Sequence, residues 1–347
     1  MRTSTGLGLG GLLLGLGLGW YIFSAIEVSY QVFAWILIIT GAGIVVSALF
    51  ARALSMPLGV TVGAVSVGLI LSLLLTSGIG FIGPYRAEGT RTFEGDVAAD
   101  IVYFEVENRN GAIRVSTWDK SEYNVELTIR ARGITESEAE KTIEGLDIDL
   151  VEQVSQGQLR LILNYGIPSQ TWRRLSIEVT VVLPADAEIN LDLESSNGGI
   201  YLSEIVGDTV GIQTSNGALD LDKVYANSIV GSTSNGRIDG EIEAKNTSLT
   251  TSNGKIELTL PCNVSGEYDL STSNGDIELT VSPSQQVGYD LDLSTSNGNI
   301  NLNLSDLEYS LNEKTSKEAR TMDFASRAVQ ITIEADTSNG NIDLGTP

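Results

Sequence analysis

The chain of 347 residues contains no histidine and a single cysteine, Cys262. The missing histidines exclude imidazole general bases, Ser–His–Asp triads and histidine metal ligands. One cysteine makes neither an internal disulfide nor a thiolate metal site. Cys262 follows Leu260 and Pro261 beside a repeat, so a small buried apolar role is expected. Positive charge is scarce as well, with 21 Lys and Arg against 44 Asp and Glu. Residues 1–83 hold only Arg2, Arg52 and Glu27 of these, which leaves 19 basic and 43 acidic residues beyond, a net charge of −24. That balance argues against nucleic acid and against an anionic lipid surface as partners of the C-terminal part. It favours a solvated acidic surface. No cofactor motif is present, and no cofactor or metal is expected.

What residues 1–83 do have is apolar length. Three charge-free runs, Gly6–Ile26, Gln31–Ala51 and Leu58–Ile82, stand before Pro84. Each is near the ~20 residues that cross a bilayer, so three membrane helices are expected. Arg2 and Arg52 on one side and Glu27 on the other place the N-terminus inside and the C-terminal domain outside the cytoplasm. Gly11, Gly15 and Gly19 form one helical stripe, and Gly59 and Gly63 another. Small stripes let helices approach closely, either within the chain or in self-association.

The strongest feature is a repeat. The string SSNG or TSNG places Asn-Gly pairs at Asn197-Gly198, Asn216-Gly217, Asn235-Gly236, Asn253-Gly254, Asn274-Gly275, Asn297-Gly298 and Asn339-Gly340. The spacings are 19, 19, 18, 21, 23 and 42, the last reading as two periods with one motif lost. Apolar residues alternate on both sides, which means half-buried strands. Their parity changes across the motif: Leu291 and Leu293 are odd, Ile300, Leu302 and Leu304 even. A continuous strand would turn one apolar set to the wrong face. Ser-Asn-Gly is therefore a corner, with Asn and Gly expected to supply positive φ. Units of ~20 residues cannot bury their apolar faces alone, and stacking them solves this. A solenoid with a ladder of asparagines is expected, and a flat stack of hairpins is the competing geometry.

Before the repeat, Ile101–Glu107 and Ala112–Thr117 flank Asn108–Gly111 like a hairpin. Thr135-Glu-Ser-Glu138 is a capping box that predicts a short helix over Glu136–Glu144. Further strands are expected at Tyr123–Ala131, Ile148–Gln153, Gln158–Leu163 and Leu175–Leu183. The fold class expected is three membrane α-helices plus an all-β ectodomain, a single-stranded β-solenoid with a small α+β-like N-terminal cap. Its expected divisions are residues 1–83 (membrane region), 84–94 (linker), 95–190 (cap) and 191–347 (solenoid).

The pattern FEVENRNGAIRVSTWD, the Glu-rich helix, VTVVLPADAEINLDLESSNGGI and the TSNG units that follow resemble the adhesin-named family of β-strand-repeat domains, relatives of the toastrack domains. The resemblance spans about residues 95–347. It implies a single-stranded β-solenoid and an extracytoplasmic location, and it implies no activity. Relatives fused to membrane helices resemble envelope-stress membrane proteins, whose β domain meets a protein partner.

Three functions are weighed. A membrane-anchored, non-enzymatic surface module would offer flat polar faces, with Asp220, Asp222, Asp239, Glu241, Glu257, Asp276 and Glu278, to a glycan or a protein. A sensor or scaffold would act through a membrane partner. A polysaccharide-active enzyme would need clustered carboxylates, and these acids are spread evenly. Two segments break the repeat. Asn164–Arg174 carries Tyr165, Trp172, Arg173 and Arg174, either an exposed recognition cluster or a hairpin tip that packs its tryptophan. Leu307–Arg320, with Lys314, Lys317 and Arg320, reads as a solvated loop. Sequons at Asn246, Asn263 and Asn303 permit glycosylation.

Overall fold

The computed structural model describes residues 12–14, 18, 65, 67–69 and 85–347, except 134 and 283. The chain divides into two compact units, Met1–Pro84 and Tyr85–Pro347, and the strands lie in the second. Period-two alternation of Val, Ile and Leu folds as expected: in the strands of the stack one side is buried and the other faces water, while the end strands Tyr85–Asp96 and Leu307–Asn312 have no buried side.

In chain order the first strands are β1 (Tyr85–Asp96), β2 (Ile101–Asn110), β3 (Ile113–Trp118) and β4 (Glu122–Gly133). Helix α1 (Glu136–Glu144), β5 (Ile148–Ser155), β6 (Gln158–Tyr165), a 3-10 turn at Thr171–Arg174 and β7 (Leu175–Pro184) follow. Next come β8 (Glu188–Asn197) and three long strands, β9 (Ile200–Thr214), β10 (Leu219–Thr233) and β11 (Ile238–Thr251). Then come β12 (Ile256–Leu260), β13 (Gly266–Thr272), β14 (Ile277–Val281), β15 (Val287–Thr295) and β16 (Ile300–Asn303). The last are β17 (Leu307–Asn312), β18 (Ser316–Thr321), β19 (Val329–Thr337) and β20 (Ile342–Gly345).

The strands stack as two walls that meet at the Asn-Gly corners. The first wall, built after each corner, runs in space β1, β4, β7, β3, β9, β10, β11, β12, β14, β20, β16. The second, built before each corner, runs β5, β6, β2, β8, β9, β10, β11, β13, β19, β15, β18, β17. Strands β9, β10 and β11 serve both walls by bending in the middle. The pairing is parallel and in register through the stack and turns antiparallel only near its ends. This is a solenoid, and its apolar residues form one continuous core between the walls.

The coils do not stack in chain order. The coil of β2 and β3 lies between β6/β7 and β8/β9. The final coil, β19 and β20, is inserted between β13/β14 and β15/β16. The spacing of 42 is therefore no lost motif: the chain leaves the stack through the β17–β18 hairpin and returns one rung earlier.

Several expectations are corrected. The fold class with three membrane helices is not what the structure shows. Among the described residues no helix is long and apolar enough to cross a membrane, and the helices with defined bounds are α1 and two 3-10 turns. The three apolar runs, and Gly11, Gly15, Gly19, Gly59 and Gly63, lie outside the described residues apart from 12–14, 18, 65 and 67–69. The expected linker 84–94 is strand from Tyr85 onward, zipped along β4. The hairpin at Asn108–Gly111 is a corner, because β2 and β3 pair with neighbouring coils and not with each other. The expected solvated loop at Leu307–Arg320 is the hairpin that closes the second wall. The α1 capping box forms, with Thr135 Oγ1 accepting from Glu138 N at 3.2 Å.

Candidate functional site

Each letter of the TSNG corner has a structural task. The threonine is buried and its Oγ1 donates to the corner-glycine carbonyl of the adjacent coil. Thr214 to Gly198, Thr233 to Gly217, Thr251 to Gly236, Thr272 to Gly254, Thr337 to Gly275 and Thr295 to Gly340 all span 2.8–2.9 Å. The asparagine donates from Nδ2 to Oδ1 of the next asparagine at 2.8–3.0 Å. The ladder runs Asn297, Asn339, Asn274, Asn253, Asn235, Asn216, Asn197, Asn110 and ends on the Trp172 carbonyl at 2.7 Å. Every amide points the same way, so their dipoles align.

The glycine is required for a reason other than the one expected. None of the seven corner glycines of the repeat has positive φ, and of the corner positions only Gly111 does. A Cβ at Gly236 would meet the Gly217 carbonyl oxygen at 1.7 Å, and one at Gly217 the Gly198 oxygen at 2.1 Å. Backbone rests on backbone at this edge, so only glycine fits. The left-handed residues sit at the opposite bend, as Glu204, Lys223 and Cys262. Nothing in those residue types announces such a conformation.

Because the coils are in register, a fixed offset from the corner becomes a column in space. Four residues after the corner asparagine, the first wall carries Tyr201, Asp220, Asp239, Glu257, Glu278, Asp343 and Asn301 side by side. Five of these seven neighbours are carboxylates. Arg114 extends the column past Tyr201, with its guanidinium 4.7 Å from that ring and paired to Glu178. Arg237 reaches Asp239 at 2.8 Å, and Lys255 bridges Glu257 and Glu278 at 2.8 and 2.6 Å. Burial still holds the Asp239 carboxyl above its ordinary range, helped by Asp220 and Glu257 and opposed by Arg237.

Five residues before the corner, the second wall carries Asp269, Glu334 and Asp292 in adjacent strands, and the β17–β18 hairpin sets Glu318 beside Asp292. Glu334, Asp292 and Glu318 border a groove of about 590 Å³ that also takes in Asp290, Glu308, Tyr309 and Arg320. Arg320 pairs with Asp290. Desolvation, then the surrounding carboxylates, push Asp292 and Glu334 upward. Among the described residues no group of His, Cys, Asp or Glu converges as metal ligands.

The other sequence candidates fare differently. Trp172 is buried and meets Tyr165 edge-on at 5.3 Å, so the hairpin tip packs its tryptophan instead of exposing an aromatic cluster. Arg174 pairs with Glu138 of α1 at 2.7 Å, and Arg173 is exposed. Asn246, Asn263 and Asn303 are exposed, and Asn263 donates to Glu243 at 3.2 Å. Cys262 is buried, 3.9 Å from the Tyr289 hydroxyl, and burial raises its pKa.

A putative cell adhesion protein from Clostridium sporogenes aligns at 10% identity and TM-score 0.37, covering 75% of this chain and all of its own. A putative adhesin from Bacteroides fragilis aligns at 12% and 0.35, covering 76% and 100%. A putative lipid binding protein from Parabacteroides distasonis aligns at 13% and 0.32, covering 75% and 96%. No curated protein matches. The Toastrack DUF4097 family matches residues 105–345, most of the chain, and the chain belongs to that family.

Proposed function

We propose that this protein is a non-enzymatic surface-binding module that holds its toastrack unit at a membrane. The observation that carries the reading is the column of Asp220, Asp239, Glu257, Glu278 and Asp343 on one wall. A flat, ladder-bonded wall keeps these side chains at fixed strand spacing, so a partner meets a preorganised surface. Its net negative charge suits a partner, glycan or protein, that brings cationic groups. The nearly charge-free composition of residues 1–83 supports membrane attachment.

Full-length protein in nanodiscs, applied to arrays of glycans and of basic and neutral peptides, tests the reading. Binding that weakens with salt and drops on Asp239→Asn with Glu257→Gln supports it. Binding indifferent to both, or product release from an arrayed glycan, sinks it. Alkaline extraction of native membranes tests the attachment: release of the intact chain would remove that part of the reading.

A further inference from the structure

Every Asn-Gly step of this chain sits at a corner. Such steps are where asparagine most readily attacks itself through the following backbone nitrogen, since glycine does not shield it. Inside the stack each step is held from both sides. The Oδ1 atoms of Asn110, Asn197, Asn216, Asn235, Asn253, Asn274 and Asn339 each accept from the next coil. The glycine carbonyl that follows is covered likewise, as Gly340 is by Thr295 at 2.9 Å.

Asn297 differs. It is the open end of the ladder: Nδ2 donates to Asn339 at 3.0 Å, and among the described residues nothing donates to its Oδ1 or to the Gly298 carbonyl. Where a further coil would stack, the turn of the β17–β18 hairpin supplies only backbone carbonyls, Thr315 to Thr295 N and Lys314 to Ile300 N. The Asn297 amide can therefore rotate after losing contacts on one side, while every other corner amide must lose them on two.

We propose that Asn297-Gly298 is the modification site of this fold, the corner that deamidates first. The Gly298 backbone nitrogen bonds to Asn297 Cγ and gives up its proton. The Cγ–Nδ2 bond breaks and its nitrogen leaves as ammonia, closing a succinimide. Water then opens either imide carbonyl, giving aspartate or isoaspartate, with no change of oxidation state. The product adds a carboxylate to the acidic end of the stack. The isoaspartyl form lengthens the backbone by one carbon at an edge where a Cβ on Gly298 would already meet the Gly340 oxygen at 1.9 Å.

The full chain, aged in mildly alkaline buffer and digested, gives the test by peptide mass and by isoaspartyl-specific methylation. Asn297 is expected to convert about fivefold faster than any other corner, the factor that one amide hydrogen bond is worth. Asn297→Ala moves the ladder end to Asn339, which should then take the lead, with circular dichroism confirming the fold. Equal rates at all corners, or a faster inner corner, overturns the proposal. So does an unchanged Asn339 rate in the folded variant. If that variant does not fold, the wild-type ranking decides alone.

Discussion

The middle of the solenoid and its two ends are built from the same corner yet obey different rules. In the middle, β9, β10 and β11 stack in chain order, 14 or 15 residues each, with one bend apiece. At each end the chain overshoots and comes back, leaving a later or earlier coil between two others. Both ends then close with antiparallel strands, β1 and β5 at one and the β17–β18 hairpin at the other. A parallel stack leaves two naked edges, and antiparallel strands and hairpins are a short route to ending them. The lesson is that the corner specifies stacking without specifying which coil is the neighbour.

The corner glycines give the sharpest way to break this comparison. Gly236→Ala in the middle drives a Cβ into the Gly217 oxygen, with coils fixed above and below. A loss of about 3 kcal/mol or more in urea unfolding is expected, enough to threaten folding. Gly298→Ala at the outer coil creates a similar clash, at 1.9 Å, but that coil can shift outward. About half the loss is expected there. Gly211→Ala is the control, since its nearest contact is an ordinary 3.5 Å, and it should change stability by less than about 0.5 kcal/mol. Equal losses at Gly236 and Gly298 would show that the ends are as rigid as the middle.

The core gives the next contrast. Ile238 is fully buried between the walls, whereas Leu302 of the outer coil is only half-buried. Ile238→Ala should cost about 3 kcal/mol, transfer plus cavity, and Leu302→Ala about 1. The threonine bond comes below that. Thr251→Val keeps the shape but leaves the Gly236 carbonyl without its 2.9 Å donor, for a loss of about 1–2 kcal/mol. Thermal melts of the purified variants rank all three, and a Thr251→Val protein as stable as wild type would show that the hydroxyl is incidental.

How far these features could be read in advance follows from what each one depends on. The corner was legible because parity reversal is a property of a short segment, and Leu291, Leu293 and Ile300 do fall inside as alternation requires. The carboxylate columns were legible in principle, since every member but Glu318, which the β17–β18 hairpin brings in, lies four after or five before a corner asparagine. Coil order was not legible. Each coil carries the same Thr, Asn and Gly contacts, so local pattern gives Val329–Gly345 no preference for the slot it fills. The role of glycine is not legible in one coil, because φ is a property of one residue while the close approach to Gly217 depends on the neighbouring coil. Trp172 could be read either way until α1 and the Asn110 amide were seen to fix its loop.

The smallest expected effect concerns pH, and it separates the two walls. Asp239, Asp292 and Glu334 all have folded pKa values raised above their ordinary range, through desolvation first and neighbouring carboxylates after. A raised carboxyl binds its proton more tightly folded than unfolded. The folded state therefore gains protons first as pH falls, and stability from these groups rises on mild acidification and falls again as pH climbs through the folded values. The wild-type melting temperature should increase slightly between pH 7 and about pH 5, just above the unfolded carboxyl range. The gain is small because these side chains are partly solvated. Asp292→Asn with Glu334→Gln, adjacent in one column, should remove more of the gain than Asp239→Asn, which has Arg237 at 2.8 Å to hold its charge. A melting temperature that only falls with acid would mean that paired carboxylates elsewhere outweigh the two columns.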